Sequence, residues 1–146
     1  MTPLAYFANI HEEAPGDFIV FFADVPEAIT QGDTLAEAVD NAREALAVAL
    51  EGYLIQGRRF PTRSEPDPSL AGDGYTLVDV PVDPVVAARG ALSVAMADQG
   101  LSKVGLASRL GRDEKVVRRI LSGKGASLEL ILEALRAVGI QPALAV

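Results

Sequence analysis

The sequence of 146 residues predicts an α+β protein in which an N-terminal β-sheet with one helix precedes an all-α domain. Runs rich in aromatic and β-branched residues, typical of strands, are concentrated in the first half of the chain. The second half reads as short helices with a glycine after each. Net charge divides the same way: residues 1–83 carry 15 acids and 4 bases, whereas residues 84–146 carry 5 acids and 9 bases. Two domains with different partners are therefore predicted, 1–82 and 83–146.

The first domain begins with two strands. Residues 4–10 and 17–25 are separated by "HEEAPG", whose proline and glycine are typical of a hairpin loop. A short third strand is predicted near Ala28 to Thr30. The first half of this domain is therefore expected to consist of a two-stranded hairpin followed by a short third strand.

A helix should then open at Thr34, because Glu37 follows at the spacing of a capping box. Its apolar stripe from Leu35 to Tyr53 has the 3.6-residue period of a helix packed on a sheet, and Gly57 should end it. The proline-rich segment "RRFPTRSEPDPSLAGDG" reads as a loop and "YTLVDVPV" as the last strand. The predicted order is β-β-(β)-α-β.

The second domain should begin at Asp83, a helix cap followed by Pro84 at the first helical position. Four helices follow, and each ends at a glycine. The predicted limits are about 85 to Gly100, Ser102 to Gly111, Asp113 to Gly123 and Ser127 to Gly139. The tail from 140 to 146 contains a proline and is expected to form an edge strand or an extended arm.

Composition excludes several classes of protein. There is no cysteine, which rules out disulfides, zinc–thiolate sites and thiol chemistry. The N-terminus lacks the pattern of a signal peptide, and no run approaches the ~18 apolar residues that a membrane span needs. We expect a cytoplasmic protein without a membrane partner, a metal or a cofactor.

A basic segment stands out in this acidic chain. Residues 100–125, "GLSKVGLASRLGRDEKVVRRILSGKG", hold seven Lys and Arg against two acids. The apolar positions Val104, Leu106, Ala107 and Leu110 should form the inner face of one helix, and Val117, Ile120 and Leu121 that of the next. With the turn "GRD" between them, the two helices have helix-turn-helix spacing. An anionic partner, DNA, is indicated.

The residues of this segment divide by their expected contacts with DNA. Base readers should face outward from the third helix of the domain, which would enter the major groove. They are Glu114, Lys115, Arg118 and Ser122, with Arg119 at the edge. Phosphate contacts are expected from Lys103, Arg112 and Lys124. The alternative interpretation is a solvated basic face without a ligand.

The stretch "LSKVGLASRLGRDEKVVRRILSGKGASLELILEALRAVGI", residues 101–140, resembles the Cro and lambda-repressor type of helix-turn-helix, the XRE family. The resemblance implies operator DNA as a partner. Gly105 departs from the family pattern and should cost that helix roughly 1 kcal/mol relative to alanine.

A homodimer or higher homo-oligomer is expected, because two recognition helices one duplex turn apart multiply the weak affinity for a single half-site. The seam should use the tail from 140 to 146 and one face of the fourth helix. That face consists of Leu128, Ile131, Leu132 and Leu135. The alternative for these four residues is the core of the domain itself.

The first domain has a resemblance of its own. The segment "F.DVPEAITQGDTLAEAVDNAREAL" followed by "G...P" is similar to the HicB antitoxin N-terminal domain. That family implies a truncated ribonuclease H-like fold and a partner of the HicA type, a small basic toxin that cleaves mRNA. It also implies repression of the protein's own operon through the second domain. The predicted toxin-binding residues are Asp24, Glu27 and Asp33, with Arg58, Arg59, Phe60 and Pro61 in the loop 58–67.

Two alternative functions would each require a feature of the first domain. A transcriptional regulator that senses a small ligand through its first domain would need an apolar pocket there. A nuclease of the ribonuclease H type would need carboxylates that converge on two magnesium ions, one of them on the first strand. That strand reads "YFANI" and has none, and the single histidine, His11, is expected at the surface. No catalytic residue and no enzyme activity are therefore predicted.

Overall fold

A computed structural model describes residues 4–122 and 125–143 of the protein. The α+β prediction is confirmed. The described residues form four strands: β1 Ala5–Ala14, β2 Asp17–Phe22, β3 Ile29–Gly32 and β4 Thr76–Pro81. They form six helices: α1 Leu35–Ile55, α2 Pro68–Gly72, α3 Pro84–Gln99, α4 Lys103–Leu110, α5 Glu114–Ser122 and α6 Leu128–Ala137.

The four strands form one antiparallel sheet in the order β3-β2-β1-β4. The hairpin between β1 and β2 is tighter than predicted, because pairing continues beyond residue 10 and His11 lies opposite Ile19. Only Pro15 and Gly16 remain as the turn, and Gly16 has a φ of 78°. Most of the predicted loop "HEEAPG" is therefore strand.

Alternate residues of β1 and one face of α1 supply many of the buried apolar side chains of this part of the chain. They include Tyr6, Ala8, Ile10, Ala38, Ala42, Leu46 and Leu50. The Glu37 N–H donates to the Thr34 hydroxyl at 3.1 Å, as the capping-box spacing predicts. Leu35 was predicted in the apolar stripe but is 41% exposed; it is the first residue of α1.

The proline-rich segment is not wholly a loop. The helix α2 begins after Asp67, whose side chain accepts from the Ser69 N–H at 2.9 Å. Five residues are too few to show helical periodicity in the sequence, so the prediction missed this element.

The chain divides into two compact units. The sheet unit contains the chain up to Leu50 and Pro61–Asp83, and the helical unit contains Glu51–Phe60 together with the chain from Pro84 onward. The last turn of α1 and the first residues of the following segment therefore belong to the helical unit.

In the helical unit the caps predicted at Ser102 and Ser127 are present. Ser102 accepts from the Gly105 N–H at 3.0 Å, and Ser127 accepts from the Leu130 N–H at 3.2 Å. Gly111 and Gly139 follow α4 and α6 with φ values of 63° and 86°. Gly123 and residues 144–146 of the tail lie outside the described residues, and residues 140–143 form neither helix nor strand.

The core of this unit is apolar and shared by α3 to α6. It includes Leu92, Met96, Leu106, Ala107, Val117, Ile120, Ile131, Ala134 and Leu135. Gly105 fits here because an added Cβ would lie 2.8 Å from Leu101 Cδ1 and 3.3 Å from Ser102 Oγ. Crowding at the start of α4 explains its departure from the expected helix former.

Two predictions about this core are wrong. Val104 was placed on the inner face of α4 but is 61% exposed, because the helix turns Leu106 and Ala107 inward instead. Ile131 and Leu135 were candidates for a dimer seam, yet both are buried in the core of their own unit. Leu128 is exposed and Leu132 is partly buried, so these two remain candidates.

Candidate functional site

The helices α4 and α5 carry five of the 13 basic residues of the chain. Residues 111–113 join them, and Asp113 caps α5 by accepting from the Lys115 N–H at 2.8 Å. Because Val117 and Ile120 are buried, the opposite side of α5 faces outward. Lys115, Arg118, Arg119 and Ser122 are all exposed on that side. The structure thus brings four of the predicted base readers onto one helix surface.

Glu114, the fifth predicted base reader, is paired within the helix. Its Oε1 accepts from Arg118 Nε at 3.2 Å and from Arg118 Nη2 at 3.0 Å. The pair spans one helical turn, the spacing at which opposite charges meet on a helix surface. The Glu114 carboxylate therefore has a partner, Arg118, within its own helix.

The predicted phosphate contacts differ in their surroundings. Lys103 is exposed at the first position of α4. Arg112, in the turn, forms an ion pair with Glu133 at 3.4 Å. Lys124 lies outside the described residues. Arg109 of the same segment donates to the Ala137 carbonyl at 3.2 Å, so it braces the end of α6.

Arg89 is a residue of this unit that the sequence prediction missed. It is 2% exposed, although it is charged. Its Nε donates to the Ile120 carbonyl at 3.0 Å, its Nη2 donates to the Leu121 carbonyl at 3.2 Å, and its Nη1 lies 3.6 Å from Glu51 Oε1. The last carbonyls of a helix lack partners within it, and a cation is favourable there. Arg89 thus secures the C-terminal end of α5, the helix predicted to read bases.

A signal for Arg89 was present in the sequence. The segment "PVVAARGALSVAMA" has one charged residue in an otherwise apolar and small-residue helix. A lone charge at such a position is expected to be paired when the helix is buried.

The sheet unit is strongly acidic. Residues 2–50 and 61–83 hold 14 acids and 2 bases, a net charge of −12. Residues 51–60 carry two arginines and one acid, so their place in the helical unit sharpens the charge difference between the units. A cationic partner would be attracted to the sheet unit over a distance of about a Debye length.

The structure does not bring the three predicted toxin-binding acids together. Phe18 pairs with Gly32, which places Asp33 at the end of β2 where the β1–β2 turn lies. Asp24 follows the opposite end of β2, beyond Phe22. Four residues of strand separate these ends, or about 13 Å. Glu27 lies on the Asp24 side of β3, between β2 and the start of β3 at Ile29.

Asp24 instead joins residues of the proline-rich segment. Its carboxylate accepts from the Ser64 N–H at 2.9 Å and also from the Ser64 hydroxyl. A groove of about 190 Å³ lies beside this contact, and Phe7, Asn9, Asp24, Glu65, Asp67 and Leu70 are among its lining residues. Hydrogen bonds from the Ser69 hydroxyl and backbone N–H lower the pKa of Asp67. Three carboxylates therefore gather here: Asp24, which was predicted by itself, and Glu65 and Asp67, which lie in the predicted loop 58–67.

The four loop residues predicted to bind a toxin are divided between the units. Arg58 stacks on the Tyr53 ring at 4.0 Å, Arg59 pairs with Asp98, and Phe60 contacts Gly90, all in the helical unit. Pro61 belongs to the sheet unit, where its carbonyl accepts from the Tyr6 hydroxyl at 2.7 Å. Arg58 and Arg59 are exposed, whereas Phe60 and Pro61 are half-buried.

His11 was expected at the surface, and its side chain is half-buried, with 32% of it exposed. Its ring lies beside the Tyr75 ring, with 4.8 Å between centroids and 36° between the ring planes. Its Nδ1 is buried without a hydrogen bond and lies 4.0 Å from Glu13 Oε1. Within residues 4–122 and 125–143, no group of three or more His, Asp or Glu side chains is placed to hold a metal ion.

The same part of the chain contains no helix that is both long and apolar enough to cross a membrane. Its longest helix, α1, carries five acidic or basic residues along its 21 positions: Glu37, Asp40, Arg43, Glu44 and Glu51.

Comparisons with known proteins place the chain among antitoxins. The model of the family described as HicB-like antitoxin of bacterial toxin-antitoxin system matches residues 6–109. Antitoxin HicB 2 of Photorhabdus laumondii is 35% identical over 130 residues, which cover 88% of this chain and 86% of that protein. Antitoxin HicB of Escherichia coli (strain K12) is 30% identical over 137 residues, which cover 93% and 94%.

Among solved structures, a chain of the HicA3 and HicB3 toxin-antitoxin complex is 31% identical. It covers 56% of this chain and 100% of its own length, with a TM-score of 0.46. The N-terminal domain of Burkholderia pseudomallei antitoxin HicB is 24% identical with a TM-score of 0.48, and covers 55% of this chain.

Proposed function

Because the chain belongs to the HicB-like antitoxin family of bacterial toxin–antitoxin systems, we propose that it neutralises a small basic mRNA-cleaving toxin of the HicA type by binding it directly. One observation of the structure carries this proposal: the net charge of −12 on the sheet unit. Charge of one sign speeds the encounter with an oppositely charged protein and disfavours acidic competitors. The protein acts by occupying the toxin, not by catalysis, and does so in the cytoplasm.

The toxin-facing surface is the Asp24 end of the sheet, where Glu65 and Asp67 add to the negative charge. Asp24 is a poor site for a test, because its carboxylate also holds Ser64. Glu65 is exposed in the same groove. The sheet unit itself is a truncated ribonuclease H-like fold used for binding.

Glu65→Lys should weaken the complex with the small basic protein encoded beside this chain by about ten-fold or more. The charge at the proposed contact changes by two units, from −1 to +1. The loss of affinity should become smaller as salt is added. Glu44→Lys is the matched control, since Glu44 is an exposed acid on α1. The affinities would be measured by isothermal titration calorimetry at two salt concentrations. Equal losses for both variants would show that only overall charge matters and that this groove is not the contact.

The helical unit gives the antitoxin a second role as repressor of its own operon. The observation behind this role is the surface of α5, where Lys115, Arg118, Arg119 and Ser122 face outward above a buried apolar side. An XRE-type helix-turn-helix formed by α4 and α5 would place this surface in the major groove of operator DNA. Two copies of the chain are needed to bind two half-sites. The exposed Leu128 and the neighbouring Leu132 form the proposed contact between the two copies.

Arg118→Ala and Lys103→Ala should affect DNA binding in different ways. Arg118→Ala should reduce the preference for the operator over unrelated DNA by about ten-fold, since a bidentate base contact is lost. Lys103→Ala should weaken binding to all sequences alike and reduce the salt slope by about 1, since a phosphate contact is lost. Fluorescence anisotropy with operator and scrambled duplexes at several salt concentrations measures both. The same response from both variants would contradict this division of contacts.

A further inference from the structure

Arg118 is held in a defined orientation by its neighbour one turn earlier. Arg118 Nε at 3.2 Å and Nη2 at 3.0 Å both donate to one oxygen of Glu114, Oε1. The Arg118 side chain is 63% exposed and that of Glu114 is 35% exposed, so the arginine is the more exposed member of the pair. The pair occupies the outward side of α5, opposite Val117 and Ile120.

This contact uses one edge of the guanidinium. An arginine has five N–H donors in a fixed planar fork, and Glu114 engages the edge formed by Nε and Nη2. The remaining donors, on Nη1 and on the outer side of Nη2, form the end of the fork. That end is the part of the side chain farthest from the Arg118 backbone. It keeps two adjacent donors available for a ligand.

Guanine is the base that matches two adjacent donors. In the major groove it presents two acceptors, O6 and N7, whereas adenine presents one acceptor beside a donor. Cytosine presents a donor, which an arginine cannot use. A guanidinium that approaches end-on therefore distinguishes guanine from the other bases.

We propose that Glu114 is a positioning residue that presents Arg118 end-on to a guanine in the major groove. This inference depends on the proposed DNA-binding function of the helical unit. Without Glu114, Arg118 is free to turn toward phosphates, which are more numerous and carry no sequence information. The carboxylate thus favours the specific contact in two ways: it orients the donors, and it competes with the DNA backbone for them.

A purely structural role for Glu114 has to be separated from this one. Glu114 lies in the first turn of α5, where an acid stabilises a helix through its dipole. Glu129 occupies the equivalent first turn of α6, which is capped by Ser127 as α5 is capped by Asp113. Glu129→Gln therefore reproduces the loss of a first-turn acid on a different helix.

The experiment selects binding sites from a random duplex library with the full-length protein and with Glu114→Gln, Arg118→Lys and Glu129→Gln. The wild type should select a guanine at one position of each half-site. Glu114→Gln should lose about ten-fold in preference for that guanine while its affinity for unrelated DNA rises and the salt slope steepens by about 1. Arg118→Lys should lose the preference but keep affinity for unrelated DNA, and Glu129→Gln should resemble the wild type.

Each result decides a different point. If Glu114→Gln retains the guanine preference of the wild type, the positioning role is overturned while DNA binding stands. If Glu114→Gln and Glu129→Gln lose affinity equally, Glu114 has only a structural role and the inference is again overturned. If the wild type selects no sequence at all, both the proposed repressor function and the inference are wrong. Circular dichroism of each variant confirms that α5 is folded.

Discussion

Replacing Arg89 with Met should lower the free energy of unfolding by about 3 kcal/mol, because two carbonyls at the end of α5 lose their partners in a buried place. Met has a similar length and can fill the space, so the effect isolates the hydrogen bonds from the packing. The Arg89 side chain is 2% exposed, and water therefore cannot easily replace its Nε and Nη2 donors to the Ile120 and Leu121 carbonyls.

Urea denaturation followed by circular dichroism measures this loss. Glu51→Gln separates the ion pair from the carbonyl contacts: the Glu51 side chain is 49% exposed, so its removal should cost less than about 1 kcal/mol. Arg136→Met, at an exposed arginine of α6, controls for the general effect of removing a positive charge. A midpoint for Arg89→Met equal to that of Arg136→Met would contradict the role given to Arg89.

Gly32→Ala should destabilise the sheet unit by about 3 kcal/mol, at the upper end of the cost of overpacking. An added Cβ would lie 2.5 Å from Ala38 N, 2.8 Å from Ala38 Cα and 3.0 Å from Glu37 C. All three atoms belong to the backbone of α1, so no side-chain rotation relieves the clash. β3 or the start of the helix would have to move.

Gly52→Ala is the matched control for this substitution. Gly52 lies inside α1 and an added Cβ there meets nothing within 4 Å. Alanine is the better helix former, so this variant should gain about 0.5 to 1 kcal/mol. Thermal unfolding of both variants tests the pair of expectations. A loss of stability at Gly52 as large as that at Gly32 would show that close approach to α1 is not the cause.

Local sequence signals predicted much of the fold. The caps at Ser102 and Ser127 and the glycines after α4 and α6 act within a few residues of each helix end, so their effect can be read from the sequence. The short α2 was missed, since its five residues give no periodicity. Val104 was placed wrongly because α4 has only eight residues, and so short a helix gives few apolar positions from which to locate its buried side.

The candidate sites depend more on contacts distant in the sequence. Asp24 and Ser64 are 40 residues apart and meet only after the sheet has formed, so their contact could not be predicted from spacing. The register of β2 with β3 separates Asp33 from Asp24, which a count of acids does not reveal. On α5, by contrast, the outward residues follow from the helical period, and the sequence was enough to group them.

The most direct test of the proposed antitoxin function is an RNA-cleavage assay with a small basic protein of the HicA type, the proposed partner of this chain. That protein would be incubated with a defined mRNA and increasing amounts of the full-length chain, and intact RNA would be measured on a denaturing gel. We expect cleavage to fall to background once the chain is present in stoichiometric amount. Cleavage that continues unchanged in a large excess of folded protein would contradict the proposal that this protein neutralises a toxin by direct binding.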